Sequence, residues 1–184
     1  MPLAALLAAI PDHAEDVRRS LAAVLADSPL TDQQLWGTAL ACAVAAREPA
    51  VTAVFATEAE RRLAPAAVAA AKSAAAVMAM NNVYYRAKHQ LGPDYDGLPA
   101  RLSMRVTARP GVDRADFELW ALAVSAIAGC EVCLRNHDGK LRAAGVEVAT
   151  AHEALRVAAA VHAAAVVLGA ERATRESPGL PPIG

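Results

Sequence analysis

Aromatic residues are scarce in this 184-residue chain: they make up 4% of it, against 55% for hydrophobic residues as a whole. The apolar share is therefore mostly Ala, Leu and Val. Ala is the best intrinsic helix former because it has no side-chain entropy to lose, so this composition predicts closely packed helices. Charge of one sign is also missing. The 18 Lys and Arg stand against 19 Asp and Glu, and no basic run builds the positive surface a nucleic-acid partner requires. With 10 Gly and 3 Cys the chain is neither collagen-like nor a disulfide scaffold, and its apolar fraction excludes disorder. No stretch reaches the roughly 20 uninterrupted apolar residues of a membrane span. The best candidate, 68–85, is broken by Lys72, Ser73, Asn81 and Asn82. The apolar start lacks a basic region and runs into Pro11-Asp12-His13, which makes a poor export signal. These absences predict a cytoplasmic protein with no membrane partner, whose thiols stay reduced unless chemistry uses them.

What is present is helical. Leu3, Leu6, Leu7 and Ile10 predict a short first helix stopped by Pro11. Val17, Leu21, Val24 and Leu25 keep the three-and-four spacing of a second. Thr31 with Gln34 reads as a capping box for a helix running on toward Pro49. Further helices are expected at 51–62 and 66–89. Between Gly92 and Asp113 the turn signals predict an irregular connector with a helical turn near 99–104. Asp113 is a good N-cap for a helix reaching 128. Gly129 interrupts it, a helix over 130–145 ends at Gly145, and the last covers 148–173.

Two stretches repeat at one offset of 84 residues. Gln34-Leu35-Trp36 meets Glu118-Leu119-Trp120, and Lys72 to Val77 meets Arg156 to Val161. The chain therefore reads as a single all-α domain over 1–184 built from two similar helical halves. The first repeat (31–90) lacks a cysteine pair, the second (115–174) carries one, and 177–184 is expected to fray.

That pair lies in Gly129-Cys130-Glu131-Val132-Cys133-Leu134-Arg135-Asn136-His137. On a helix starting at Cys130, positions i, i+3 and i+7 share a face, so Cys130, Cys133 and His137 point at one space. Two sulfurs a turn apart can bond with little backbone movement. A helix N-terminus favours a thiolate, and an imidazole four residues on can take its proton. Three readings fit the spacing: a redox dithiol with a histidine relay, half of a zinc site with Glu118 as a poor fourth ligand, or two buried structural cysteines.

The constellation Glu118, Cys130-x-x-Cys133-x-x-x-His137, in a duplicated all-helical chain, resembles the AhpD family of alkylhydroperoxidases, relatives of the carboxymuconolactone decarboxylases. The resemblance implies an antioxidant, lipoyl-dependent peroxidase in homotrimers, with no bound metal, haem or flavin. It assigns Cys133 as the peroxide-attacking thiol that becomes a sulfenic acid. Cys130 is the proton donor, closes the redox disulfide and forms mixed disulfides with an AhpC peroxiredoxin. His137 and Glu118 relay the proton away from Cys133. Dihydrolipoamide on an acyltransferase, recharged by dihydrolipoamide dehydrogenase and NADH, is the implied reductant, and an organic hydroperoxide the substrate.

The helix dipole alone favours Cys130 as the thiolate, so the family's assignment requires the relay to outweigh it at Cys133. Val132 stands where a mycobacterial-type member has His, and the reaction is expected to run through His137 without it. A carboxymuconolactone decarboxylase-like enzyme is one alternative, and the dithiol, which a lactone decarboxylase does not need, argues against it. A non-catalytic thiol sensor or metal-binding module is the other alternative. Cys42 reads as a buried thiol. Trp36 and Trp120 read as core anchors, and His152 and His162 as surface or packing residues, His162 through its repeat counterpart Met78. Asn81, Asn82, Tyr84 and Tyr85 are candidates for a subunit contact, and Arg135 and Lys140 for exposed charges that steer a partner.

Overall fold

The computed structural model describes residues 2–176, and the tail expected to fray lies outside them. The all-α expectation holds. Among the described residues nine α-helices follow in chain order, with two single-turn 3-10 helices and no strand. They are α1 (Leu3–Ala9), α2 (Glu15–Ala26), α3 (Asp32–Ala46), α4 (Pro49–Arg62), α5 (Pro65–Leu91), α6 (Arg105–Ala108), α7 (Arg114–Ile127), α8 (Glu131–Ala143) and α9 (Val148–Glu176). Shifted by 84, the bounds of α7, α8 and α9 fall on 30–43, 47–59 and 64–92, close to α3, α4 and α5.

The centre is α3 against α7, and both also touch α5 and α9. A helix apolar all round belongs inside. Leu35 through Ala43 of α3 are buried without a break, as are Asp116 through Ser125 of α7. Each fully buried Leu there, such as Leu40, contributes about 1.5–3 kcal/mol. The two axes come close because Gly37 has no side chain: a Cβ there would sit 2.3 Å from the Trp120 ring.

The cap signals form as expected. Gln34 N donates to Thr31 Oγ1, and Thr31 N donates to Gln34 Oε1. Asp113 Oδ1 accepts from Ala115 N and Asp116 N. Several expectations need correction. The residues 99–104 hold no helical turn; the turn comes later, at α6, with a 3-10 turn at Pro93–Tyr95. Asn81 and Asn82 are buried within the subunit rather than free for a subunit contact. His162 is exposed whereas its counterpart Met78 is buried, so the repeat does not carry over packing there. Among the described residues the helix long and apolar enough to cross a membrane is not 68–85 but Val148–Arg175, and half of its apolar window is buried in the fold.

Candidate active site

The cysteine pair owes its place to the turn between α7 and α8. Gly129 takes a φ of +64°, which glycine adopts without strain. Gly129 N then donates to Ala126 O, and Cys130 N to Ser125 O, the paired bonds of a Schellman stop. Cys130 thus ends α7 and serves as the N-cap of α8, so the helix begins at Glu131, one residue later than expected. Helix α5 braces this turn twice. Ser125 Oγ donates to Asn82 Oδ1 at 2.9 Å, and the Arg86 guanidinium donates to the Ala128 carbonyl.

Cys130 and Cys133 are joined in a disulfide, with Cα atoms 5.3 Å apart, inside the range an unforced bridge spans. Their surroundings differ. Cys130 is fully buried and its side chain caps no helix N–H, whereas Cys133, in the first turn of α8, lines a cavity of about 410 Å³. The dipole advantage expected for Cys130 is therefore not expressed as a cap bond. Both sulfurs sit at the positive end of α8.

His137 lines the same cavity one turn further on, 5% exposed. Its Nδ1 lies 2.6 Å from Glu118 Oε2, on α7, and its Nε2 lies 3.2 Å from Met78 Sδ, on α5. A carboxylate only accepts, so Nδ1 carries a proton and donates it to Glu118. Burial works against the charged form of Glu118. Hydrogen bonds from His137 and Lys140, and their charges, outweigh it and hold the carboxyl below its ordinary range.

Of the sequence-predicted residues, Cys133 and His137 line one cavity, Glu118 bonds His137 from outside it, and Cys130 is buried behind Cys133 in the disulfide. Val132 lines the cavity too. Among the described residues no group of three or more His, Cys, Asp or Glu is arranged to hold a metal ion. Arg135 pairs with Glu131 at 2.6 Å on the outer face of α8. Lys140 is exposed as expected, but its Nζ also reaches Glu118 Oε1 at 3.0 Å. The signal was there, since Lys140 extends the Cys130, Cys133, His137 face by three residues. Met78 was passed over, and only its buried apolar helix announced it.

Residues 93–176 match the carboxymuconolactone decarboxylase family. The alkyl hydroperoxide reductase AhpD of Streptomyces avermitilis is 50% identical to this chain over 177 residues, 96% of this chain and 100% of that protein. The same-named protein of Streptomyces griseus is 51% identical with the same coverage. That of Rhodopseudomonas palustris is 51% identical over 92% of this chain and 94% of its own length. The chain belongs to the AhpD family. Membership makes it an oxidoreductase, and in an AhpD protein the close Cys130–Cys133 pair fits a CxxC redox site. The all-α frame is likewise that of the family.

Proposed function

We propose that this chain is a lipoyl-dependent peroxidase that reduces alkyl hydroperoxides through the Cys130/Cys133 dithiol, in antioxidant defence. One observation carries the reading: of the two bonded sulfurs, Cys133 lines a cavity together with His137, whose ring is bonded to Glu118 on its far side. A thiol near its ordinary pKa is only a few per cent ionised at neutral pH, so a base beside it matters.

In the reduced enzyme His137 Nε2 takes the Cys133 proton, and Glu118 holds the ring in the tautomer that allows it. The thiolate attacks the terminal peroxide oxygen. The O–O bond breaks, Cys133 becomes a sulfenic acid, and the departing alkoxide takes a proton to leave as an alcohol. Cys130 thiol then attacks the sulfenic sulfur, releasing water and closing the disulfide. Dihydrolipoamide reopens it by thiol exchange and leaves as lipoamide. Cys130 serves in this reading as proton donor and as mixed-disulfide partner of an AhpC peroxiredoxin. A homotrimer, fed by a lipoylated acyltransferase and dihydrolipoamide dehydrogenase, completes the reading. The lactone decarboxylase alternative leaves the dithiol without a role.

The test is NADH oxidation driven by an alkyl hydroperoxide, with lipoamide, dihydrolipoamide dehydrogenase and this protein. Turnover should vanish in Cys130→Ser and Cys133→Ser and fall on the order of 10²-fold in His137→Phe, the scale of a lost general base. Wild-type protein with both thiols free and no turnover would sink the proposal.

A further inference from the structure

Glu118 is 5% exposed, and both of its oxygens are engaged. Oε2 accepts from His137 and Oε1 accepts from Lys140 Nζ at 3.0 Å. Both partners come from α8, one turn apart. The Lys140 side chain is 42% exposed, so it spans from solvent to the buried acid. It also borders two spaces. One is the reaction cavity; the other is a separate cleft of about 340 Å³, lined by Glu118 and Lys140 with Arg114 and the end of α8.

The charged surroundings of Glu118 are few. From α8 come His137 and Lys140, and from its own helix Arg114 shares the cleft. The α5 wall offers Met78, Asn81 and Tyr85, and the Tyr85 hydroxyl is directed to Met104 Sδ at 3.8 Å. Helix α3 sends the uncharged Gln33 to Asp116 instead. No hydrogen bond or ion pair from α9 reaches Glu118 among the described residues.

A carboxylate in this position could either accept the proton passed by His137 or stay charged and orient the ring. An ammonium on its second oxygen decides between them, because it stabilises only the charged form. We propose that Lys140 is a positioning residue of the peroxidase site, which fixes Glu118 as a permanent carboxylate so that the proton from Cys133 stops at His137. This rests on the peroxidase reading above. Glu118 then acts as a buried orienting acid does behind a catalytic histidine, without becoming protonated.

The test compares Lys140→Met, Lys140→Gln and Lys140→Arg with wild type in two ways. The first readout is the pH profile of kcat/KM for an alkyl hydroperoxide. The second is the titration of the Glu118 carboxyl carbon by ¹³C NMR in the resting disulfide form, which needs no turnover. In the uncharged variants the acid limb of the profile should move to higher pH. Activity on that limb should fall about tenfold for each pH unit by which the limb moves. The carboxyl titration should move the same way, and Lys140→Arg should restore both. A loss uniform in pH with an unmoved carboxyl titration overturns the proposal and leaves Lys140 as a surface cation. If wild type shows no peroxide turnover at any pH, the peroxidase reading fails. The carboxyl titration then still tells whether Lys140 holds Glu118 charged.

Discussion

The two halves of the chain place the same helices in the same order and do different things with them. In α3, Gln34 is the third helical residue and its side chain is used at the N-cap, closing the box with Thr31. In α7 the cap is Asp113, two positions earlier on the common offset, so Glu118 lies a half-turn deeper and its carboxylate is free to turn onto α8. The contrast continues along the next helix. Opposite Cys130, Cys133, His137 and Lys140 stand Ala46, Pro49, Ala53 and Ala56. A handful of substitutions on one helix face, with one shifted cap, separates a structural helix pair from a reactive one. The first half contributes the α5 wall of the cavity, and the second half carries the cysteine pair, His137 and Glu118.

The largest expected contrast is in thiol reactivity. Cys42, in the first half, is fully buried on α3, and burial pushes its thiol far up. In the reduced, folded protein, alkylation should mark Cys133 first and leave Cys42 unmarked until the chain is denatured. Peptide mass spectrometry after a short pulse of iodoacetamide reads this directly. Early labelling at Cys42 would mean that α3 opens readily, and the contrast between a closed and a reactive half would collapse.

Next in size is the contact that joins the halves. Trp36 is covered by the Arg62 guanidinium, 4.1 Å from its ring centroid, and by Phe55. Trp120 is instead pressed against Gly37. Gly37→Ala drives a methyl into the indole. It should cost roughly 1–3 kcal/mol as overpacking, read as about 2–4 °C of melting temperature per kcal/mol. The counterpart change Ala121→Gly creates no clash and should cost only about 1 kcal/mol, mainly helix propensity. Equal losses would show that the close approach at Gly37 carries no special weight.

Much of this was legible in the sequence, for local reasons. Thr31-Gln34, Asp113, Gly129 and Gly145 specify caps and stops through their own backbone bonds, so each helix edge they mark falls within two residues of its reading. The face shared by Cys133 and His137 follows from helix geometry alone. What escaped depends on which helix packs on which. Met78 meets His137 from 59 residues away, and Asn82 and Arg86 brace the cysteine turn across more than 40. Such meetings are set by the crossing of α5 over α7 and α8, which no local pattern encodes. The Lys140 contact with Glu118 is hidden for a different reason: a long side chain can be half exposed and still place its charge on a buried acid.

The smallest expected effect concerns stability, and it sharpens the comparison at the position where the halves diverge. Glu118 is held below its ordinary value of 4.5 in the folded chain. A depressed folded value means that its stabilising contribution is complete above about pH 4.5 and is lost as pH falls through the lower folded value. Glu118→Gln removes that contribution. The stability gap between wild type and variant, measured by urea unfolding, should be widest near neutral pH and should close below pH 4.5. A gap that stays constant down to strong acid would mean that the loss comes from shape rather than charge. The same exchange run backwards in the first half behaves differently. Gln34→Glu keeps the capping box and puts a carboxylate at a part-exposed helix N-terminus, worth about 0.3–1 kcal/mol and screened by salt. The Glu118 contribution, enclosed by His137 and Lys140, should survive added salt far better. One acid at matched positions would then be a surface cap in one half and a buried orienting charge in the other, separable by salt alone.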